Sequence, residues 1–253
     1  MVPRLGVNID HVATLRQQRG EGYPSVERAA RDVLMSGADQ ITIHLREDRR
    51  HIQDTDVGPV HKQCQHFGKP LNLEMGCHPQ IIDLAIRENP EWICLVPEKR
   101  EERTTEGGLD LLTPEAFARV KAACDKLKKH LPETKISLFV EADQETLLAS
   151  LKIHCDAVEV HTGEYAKDFL KDTDLSHHLK QYQEGAKIIL SQGRSFHAGH
   201  GLTLESVAPL LELGVFSEYN IGHWMMSEAV FVGISQVTED MLHLFKKFPV
   251  KVK

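Results

Sequence analysis

The sequence contains no uninterrupted apolar run that approaches the ~20 residues a membrane span requires. Its first twenty residues carry Arg4, Asp10, Arg16 and Arg19, so they hold no apolar stretch of the secretory-signal type. An excess of basic charge is also missing. Thirty Lys and Arg face 37 Asp and Glu, a net charge of −7, which argues against a nucleic-acid binder or a polybasic membrane surface. Five cysteines, at 64, 77, 94, 124 and 155, are odd in number, widely spaced and free of any Cys-x-x-Cys pair. That is the pattern of reduced thiols in a cytoplasmic protein, not of a disulfide frame or a structural zinc site. No His-x-His follows the first strand and no His-Glu-x-x-His occurs, so the usual catalytic-metal signatures are lacking. Walker A and Gly-x-Ser-x-Gly motifs are absent, and so is a cysteine at a convincing nucleophile position. No lysine ends a strand candidate, which disfavours a protein–substrate Schiff base.

What is present is a regular alternation. Short apolar runs at Leu5–Ile9, Gln40–Leu45, Leu71–Met75, Trp92–Val96, Ile136–Val140, Ala157–His161, Arg194–Ala198 and Phe216–Ile221 are separated by stretches of helical period. Several runs are rich in Val, Ile and Leu on both faces, as strands covered on both sides tend to be. Ile41-Thr-Ile-His-Leu alternates instead and fits full burial less well. Ser25 suits the cap of a helix running to Met35, which Gly37 would end. Thr113-Pro114-Glu115 sets a cap, a first-turn proline and an acid in order. Tyr165 to Gly193 has room for an extra helical piece, and a last helix is expected from about Met225 to Phe245. No linker or composition break divides the chain, and the first βα turn lacks Gly-x-Gly-x-x-Gly. Eight β/α units in 253 residues predict one TIM (β/α)₈ barrel over 1–253, with extra helical segments and parallel strands.

Nearly every strand candidate ends in a chemically capable residue. The first leads to Asn8, Asp10 and His11, the second to His44 and Arg46, and the third to Glu74. The fourth runs into Pro97-Glu98-Lys99-Arg100, the fifth into Glu141, and the sixth ends in Glu159 and His161. The seventh leads to His200 and the eighth to Gly222-His223. In this fold the C-terminal rim is where active sites assemble. Each residue also has a plainer explanation. His44 fits a hydrogen-bonded core histidine, and Glu74 a buried carboxylate with a partner. Glu159 and His161, two apart on one strand face, are either a mutual pair or two reacting groups. Leu45-Arg-Glu-Asp-Arg-Arg-His51 is a solvated loop or a holder of anionic groups. Ala198-Gly-His-Gly201 and Asn220-Ile-Gly-His223 are tight turns or a backbone cradle for phosphate. Thr104-Thr-Glu-Gly-Gly108 is a loop with glycines that suit hinges. His177-His178, in a polar helical stretch, reads as surface.

Taken jointly and in order, several of these segments resemble one family. They are Gly6-Val-Asn-Ile-Asp-His-Val-Ala-Thr-Leu-Arg16, Ile43-His-Leu-Arg-Glu-Asp-Arg-Arg-His51, Asn72-Leu-Glu-Met75, Leu95-Val-Pro-Glu-Lys-Arg100, Thr104-Thr-Glu-Gly-Gly-Leu-Asp110, Glu159-Val-His-Thr-Gly163, Ala198-Gly-His-Gly-Leu202 and Asn220-Ile-Gly-His223. This set is similar to the pyridoxine 5′-phosphate synthases of vitamin B6 biosynthesis. The resemblance implies a TIM barrel that condenses 3-amino-2-oxopropyl phosphate with 1-deoxy-D-xylulose 5-phosphate, giving pyridoxine 5′-phosphate, phosphate and water. It implies acid–base roles for His44, Glu74 and His200, and transition-state stabilisation by Glu159. It assigns Asn8, Arg19, Gly201, Gly222 and His223 to the amino-ketone phosphate. Asp10, His11, Arg46, His51 and Thr104 go to the deoxyxylulose phosphate. It also implies no metal or other cofactor, and a cytoplasmic homo-octamer built from dimers. A departure from the family pattern is His197, where asparagine is expected. Two other functions fit the same ring of residues: a metal-dependent barrel hydrolase, and a phosphosugar-binding barrel without turnover.

Overall fold

The computed structural model describes residues 2–98 and 107–251; Lys99, Arg100 and Thr104 lie outside the described residues. Eight parallel strands close into a barrel in chain order. They are β1 (Arg4–Asn8), β2 (Gln40–His44), β3 (Leu71–Met75), β4 (Trp92–Leu95), β5 (Lys135–Val140), β6 (Ala157–His161), β7 (Ser195–Gly199) and β8 (Glu218–Ile221). Two match the sequence expectation residue for residue, five differ by a residue at one or both ends, and β8 starts two residues later. Closure is made by β1 against β8, with Gly6 opposite Asn220.

The helices among the described residues are α1 (Asp10–Arg19), α2 (Val26–Met35), α3 (Asp54–His66), α4 (Pro79–Glu88), α5 (Pro114–His130), α6 (Gln144–Ser150), α7 (Gly163–Leu170), α8 (Ser176–Leu190), α9 (Leu204–Leu213), α10 (His223–Val232) and α11 (Ile234–Phe245). The Ser25 cap forms as expected, its hydroxyl accepting from the Arg28 amide at 3.1 Å. The interval after Tyr165 resolves into two helices, α7 and α8, joined by a short turn. The expected helix from Met225 to Phe245 is broken at Gly233, whose φ of 90° and ψ of 147° no helix contains.

The alternation in Ile41–Leu45 has a simple cause. Ile41 and Ile43 face the helices, whereas Thr42 and His44 face the barrel axis, and all four are buried. The axis is polar. Gln40 Nε2 donates to Glu218 Oε1 at 3.0 Å, and Thr42 Oγ1 donates to Asn220 Oδ1 at 2.9 Å. Asn72 Nδ2 donates to Thr42 Oγ1 at 3.3 Å. His197 Nδ1 lies 3.4 Å from Glu218 Oε1, and Arg4 closes the far end with an ion pair to Glu218 at 2.5 Å. The departure at 197 therefore places an imidazole beside a buried carboxylate. The apolar core lies outside this axis, between strands and helices, with Leu5, Val7, Ile41, Leu73, Ile93, Val158 and Phe196 fully buried.

Candidate active site

The C-terminal ends of the strands bring most of the expected residues into one mouth. Asn8 ends β1 and Asp10 begins α1, so one tight connection presents both. Asn8 Oδ1 accepts from the Asp10 amide at 3.0 Å, and Asn8 Nδ2 donates to Asp10 Oδ2 at 2.9 Å and toward Glu74 Oε2 at 3.4 Å. The other oxygen of Asp10 accepts the His44 amide at 2.8 Å. Asn8, Asp10, His44 and Glu74 thus form one hydrogen-bonded cluster across three adjacent strands.

Burial sets the electrostatics of that cluster. Loss of water pushes the Asp10 carboxyl up to about 6, against the opposing pull of His44, of its hydrogen bonds and of Arg46. The Glu74 carboxyl is raised well above the ordinary range, first by burial and then by the neighbouring Glu159 and Asp10. Glu159 is raised by burial and by Glu218, although the Asn220 amide donates to its Oε2 at 2.7 Å and favours the charged form.

Histidines occupy the rest of the rim. His11 stands 4.9 Å, centroid to centroid, from His223 and 6.4 Å from His51. His51 is also 6.2 Å from His44. Burial and the facing His44 and His11 push the His51 ring down to about 3, and its Nδ1 accepts the Ile52 amide at 2.9 Å. Arg46 is buried beside it, its Nε 3.3 Å from Asp48 Oδ1. Across the mouth His200 lies 5.1 Å from His161 and is pushed down to about 4 by burial, then by His161, Lys167 and His223. His161 Nδ1 is itself 3.0 Å from Glu141 Oε1. The pairing of Glu159 with His161 does not form: the two side chains take Asn220 and Glu141 instead.

The glycine-rich turns are close-packed. A Cβ on Gly222 would stand 2.8 Å from Asn8 Cβ, and one on Gly201 3.0 Å from Ala166 Cβ. Gly222 caps α10, so the amides of its first turn open beside Asn8 and His11. Such a helix start favours an anion. Arg19 is not gathered with the others. It is exposed at the far end of α1, ~14 Å along the helix from Asp10 at 1.5 Å per residue. Thr104 lies outside the described residues.

Sequence reasoning did not single out Glu98 or Asn220 by role. Glu98 Oε2 accepts the Glu47 amide at 2.7 Å and Oε1 the Gly76 amide at 3.0 Å, with Oε1 3.4 Å from His44 Nε2. That nitrogen is buried and makes no hydrogen bond among the described residues. The position of Glu98 just past β4 was the available signal. Asp10, His44 and Glu74 also offer three ligand atoms within 4.8 Å of one another, a set able to hold a cation. The five thiols are free, and burial pushes Cys77, the least enclosed, up to about 11. That setting suits packing and not nucleophilic attack.

Comparison with known proteins places the chain among relatives. The profile of the family described as pyridoxal phosphate biosynthesis protein PdxJ matches residues 5–247. A pyridoxine 5′-phosphate synthase of Caulobacter sp. (strain K31) is 44% identical over 241 residues, covering 94% of each chain. One from Zymomonas mobilis is 42% identical over 242 residues, covering 95% of this chain and 91% of its own. Among solved structures, a thiamine phosphate pyrophosphorylase from Pyrococcus furiosus superposes with a TM-score of 0.62 at 14% identity, covering 96% of both chains. That likeness is one of fold.

Proposed function

The chain belongs to the PdxJ family of pyridoxine 5′-phosphate synthases, and we propose that its barrel mouth condenses 3-amino-2-oxopropyl phosphate with 1-deoxy-D-xylulose 5-phosphate to pyridoxine 5′-phosphate, phosphate and water. The observation that carries this reading is the cluster of Asn8, Asp10, His44 and Glu74, whose two carboxyls have proton affinities moved toward neutrality. Imine formation, loss of phosphate and water, and ring closure all move protons at carbon, nitrogen and oxygen. Each positioned acid or base contributes ~10²–10⁴ in rate.

Glu74 starts protonated in the free site, because its buried carboxyl gains little from being charged; it gives up that proton as acid and then, ionised, accepts one as base. His44 exchanges protons beside it, steadied by Glu98 and by the hydrogen bond its backbone N–H donates to Asp10. Glu159 sits where positive charge develops, and His200 delivers a proton to a leaving oxygen. The amino-ketone phosphate takes the cradle of Gly201, Gly222 and His223 beside Asn8, and Arg19, exposed at the far end of α1, stands outside that cradle. The second phosphate takes Arg46 and His51, with Asp10, His11 and Thr104 holding the sugar. Arg46 is buried and planar, which suits a fork onto phosphate oxygens.

In this reading the protein works in the cytoplasm as a homo-octamer built as a tetramer of dimers. No helix among the described residues is long and apolar enough to cross a membrane, and Val230, Phe231 and Val232 expose an apolar end of α10 that suits contact with a second copy.

Mixing the two phosphates with the enzyme and following pyridinol absorbance and fluorescence tests the reaction. Product should appear with one phosphate released per turnover. Binding of both without product would leave a phosphosugar-binding barrel. The Asp10–His44–Glu74 ligand set favours a second reading, a metal-dependent hydrolase. Activity that vanishes on chelation and returns with one divalent ion per chain would select it.

A further inference from the structure

We propose that Asp168, His177 and His178 form a site for a divalent transition cation of the zinc type that staples α7 to α8. The site is independent of the condensation chemistry. One carboxylate oxygen of Asp168 and one ring nitrogen from each histidine lie within 4.8 Å of one another. Tetrahedral zinc with bonds of ~2.0–2.1 Å sets its donors ~3.4 Å apart. His178 Nε2 and Asp168 Oδ2 already stand 3.0 Å apart, so one edge of the tetrahedron is in place. The remaining closure falls to His177, whose side chain is exposed and free to turn on the first residues of α8. Two imidazoles and one carboxylate suit zinc and its neighbours in the transition series, whereas calcium and magnesium prefer oxygen ligands.

Two of the three donors, His178 and Asp168, are held before any ion arrives. The buried His178 ring meets Tyr165 edge-on, 5.9 Å between centroids, and stacks on Tyr182 at 6.4 Å. Asp168 keeps its second oxygen within 3.8 Å of Lys171 Nζ, and its carbonyl accepts the Thr173 amide at 3.2 Å. The two histidine rings are 3.7 Å apart, so both sit at one corner. The same three residues line a cavity of about 340 Å³ with Glu141, His161 and Glu164. That space admits a water as fourth ligand, and its two further carboxylates favour positive charge. The ion would fix the crossover from β6 to β7. Gly163 at the start of α7 lies against His200, where a Cβ would stand 3.2 Å from the ring.

Without an ion, the same contacts amount to an Asp168–His178 hydrogen bond beside a solvated histidine. Titrating Zn²⁺ alone into chelator-stripped, full-length protein near neutral pH decides between them, with Co²⁺ absorption as a geometric readout. One ion per chain and the intense visible bands of tetrahedral Co²⁺ are expected, with a rise in unfolding temperature. H177N changes only an exposed side chain. It should weaken Zn²⁺ by at least ~10–100-fold, the range even an outer partner of a metal commands, and abolish the thermal shift. D168N should do the same, while H44N should leave binding unchanged. No stoichiometric Zn²⁺ on the wild type, or wild-type affinity in H177N, overturns the proposal. So does loss of the ion in H44N alone, which would place it on Asp10, His44 and Glu74.

Discussion

His200 shows how much a single position is asked to do. It is one of four described non-glycine residues with positive φ, at 81°, and the Thr162 hydroxyl lies 2.7 Å from its carbonyl oxygen. Strained backbone of this kind persists only where surrounding contacts impose it. Burial first, and then the nearness of His161, Lys167 and His223, push the ring down to about 4 and leave it neutral in the free protein, the wrong state for an acid. A phosphate dianion in the adjoining cradle reverses that balance by favouring the imidazolium. His200→Asn is the sharpest test, since asparagine tolerates positive φ better than most residues and keeps a hydrogen-bonding end. Turnover should fall by ~10²–10⁴ with both phosphates still bound near normally. In the wild type, the NMR titration of the ring should move upward when inorganic phosphate is added. Normal turnover with lost amino-ketone affinity would make His200 a binding group and turn attention to Glu159.

At the scale of elements, the eight strands were legible because Val, Ile and Leu runs ending in polar residues have few other uses. Helix α1 was not, for its ten residues bury only Asp10 and Ala13 and carry almost no apolar stripe. Most site residues could be read from their place at strand ends. Glu98 acts through amides of Glu47 and Gly76, contacts that only the folded chain brings together. His178 was read as surface from its polar neighbours, yet it is buried under Tyr165 and Tyr182. The helix expected across Met225–Phe245 failed at a single glycine. At Gly233 the backbone sits near a region only glycine enters, with nothing within 4 Å of an added Cβ. Gly233→Ala therefore meets no clash and isolates backbone strain. It should destabilise the protein by ~1–3 kcal/mol in urea unfolding, with the slope unchanged. A neutral or stabilising result would mean that α10 and α11 fuse without cost. That outcome conflicts with the packing of buried Met241 and Phe245, the latter 5.3 Å from Tyr219.

For the whole molecule, the polar axis makes stability depend on pH in two opposed ways. His51 and His200, at about 3 and about 4, stay neutral in the fold while the unfolded chain takes protons below ~6.5. Their contribution to stability is therefore lost as pH falls from there. The carboxyls behave in the opposite sense. Asp10, Glu74 and Glu159 are raised, so the folded chain holds protons that the unfolded chain has released. That contribution is complete at low pH and is lost as pH rises, through about 6 for Asp10 and about 8 for Glu159. Between the ordinary carboxylate range and about 6 the two trends oppose each other. Above ~6.5 the histidines no longer contribute a slope and the carboxyls remain. Urea unfolding in a phosphate-free buffer should therefore show stability declining from pH ~6.5 to ~8, by at most ~1.4 kcal/mol per unit for each group. Glu159→Gln should flatten this decline, since an amide releases no proton and still bonds Asn220. If wild-type stability is level or rising across that interval, the axial carboxyls are already ionised at neutral pH. Glu74 could then serve only as a base that starts charged, and the first proton delivered to substrate would have to come from a histidine.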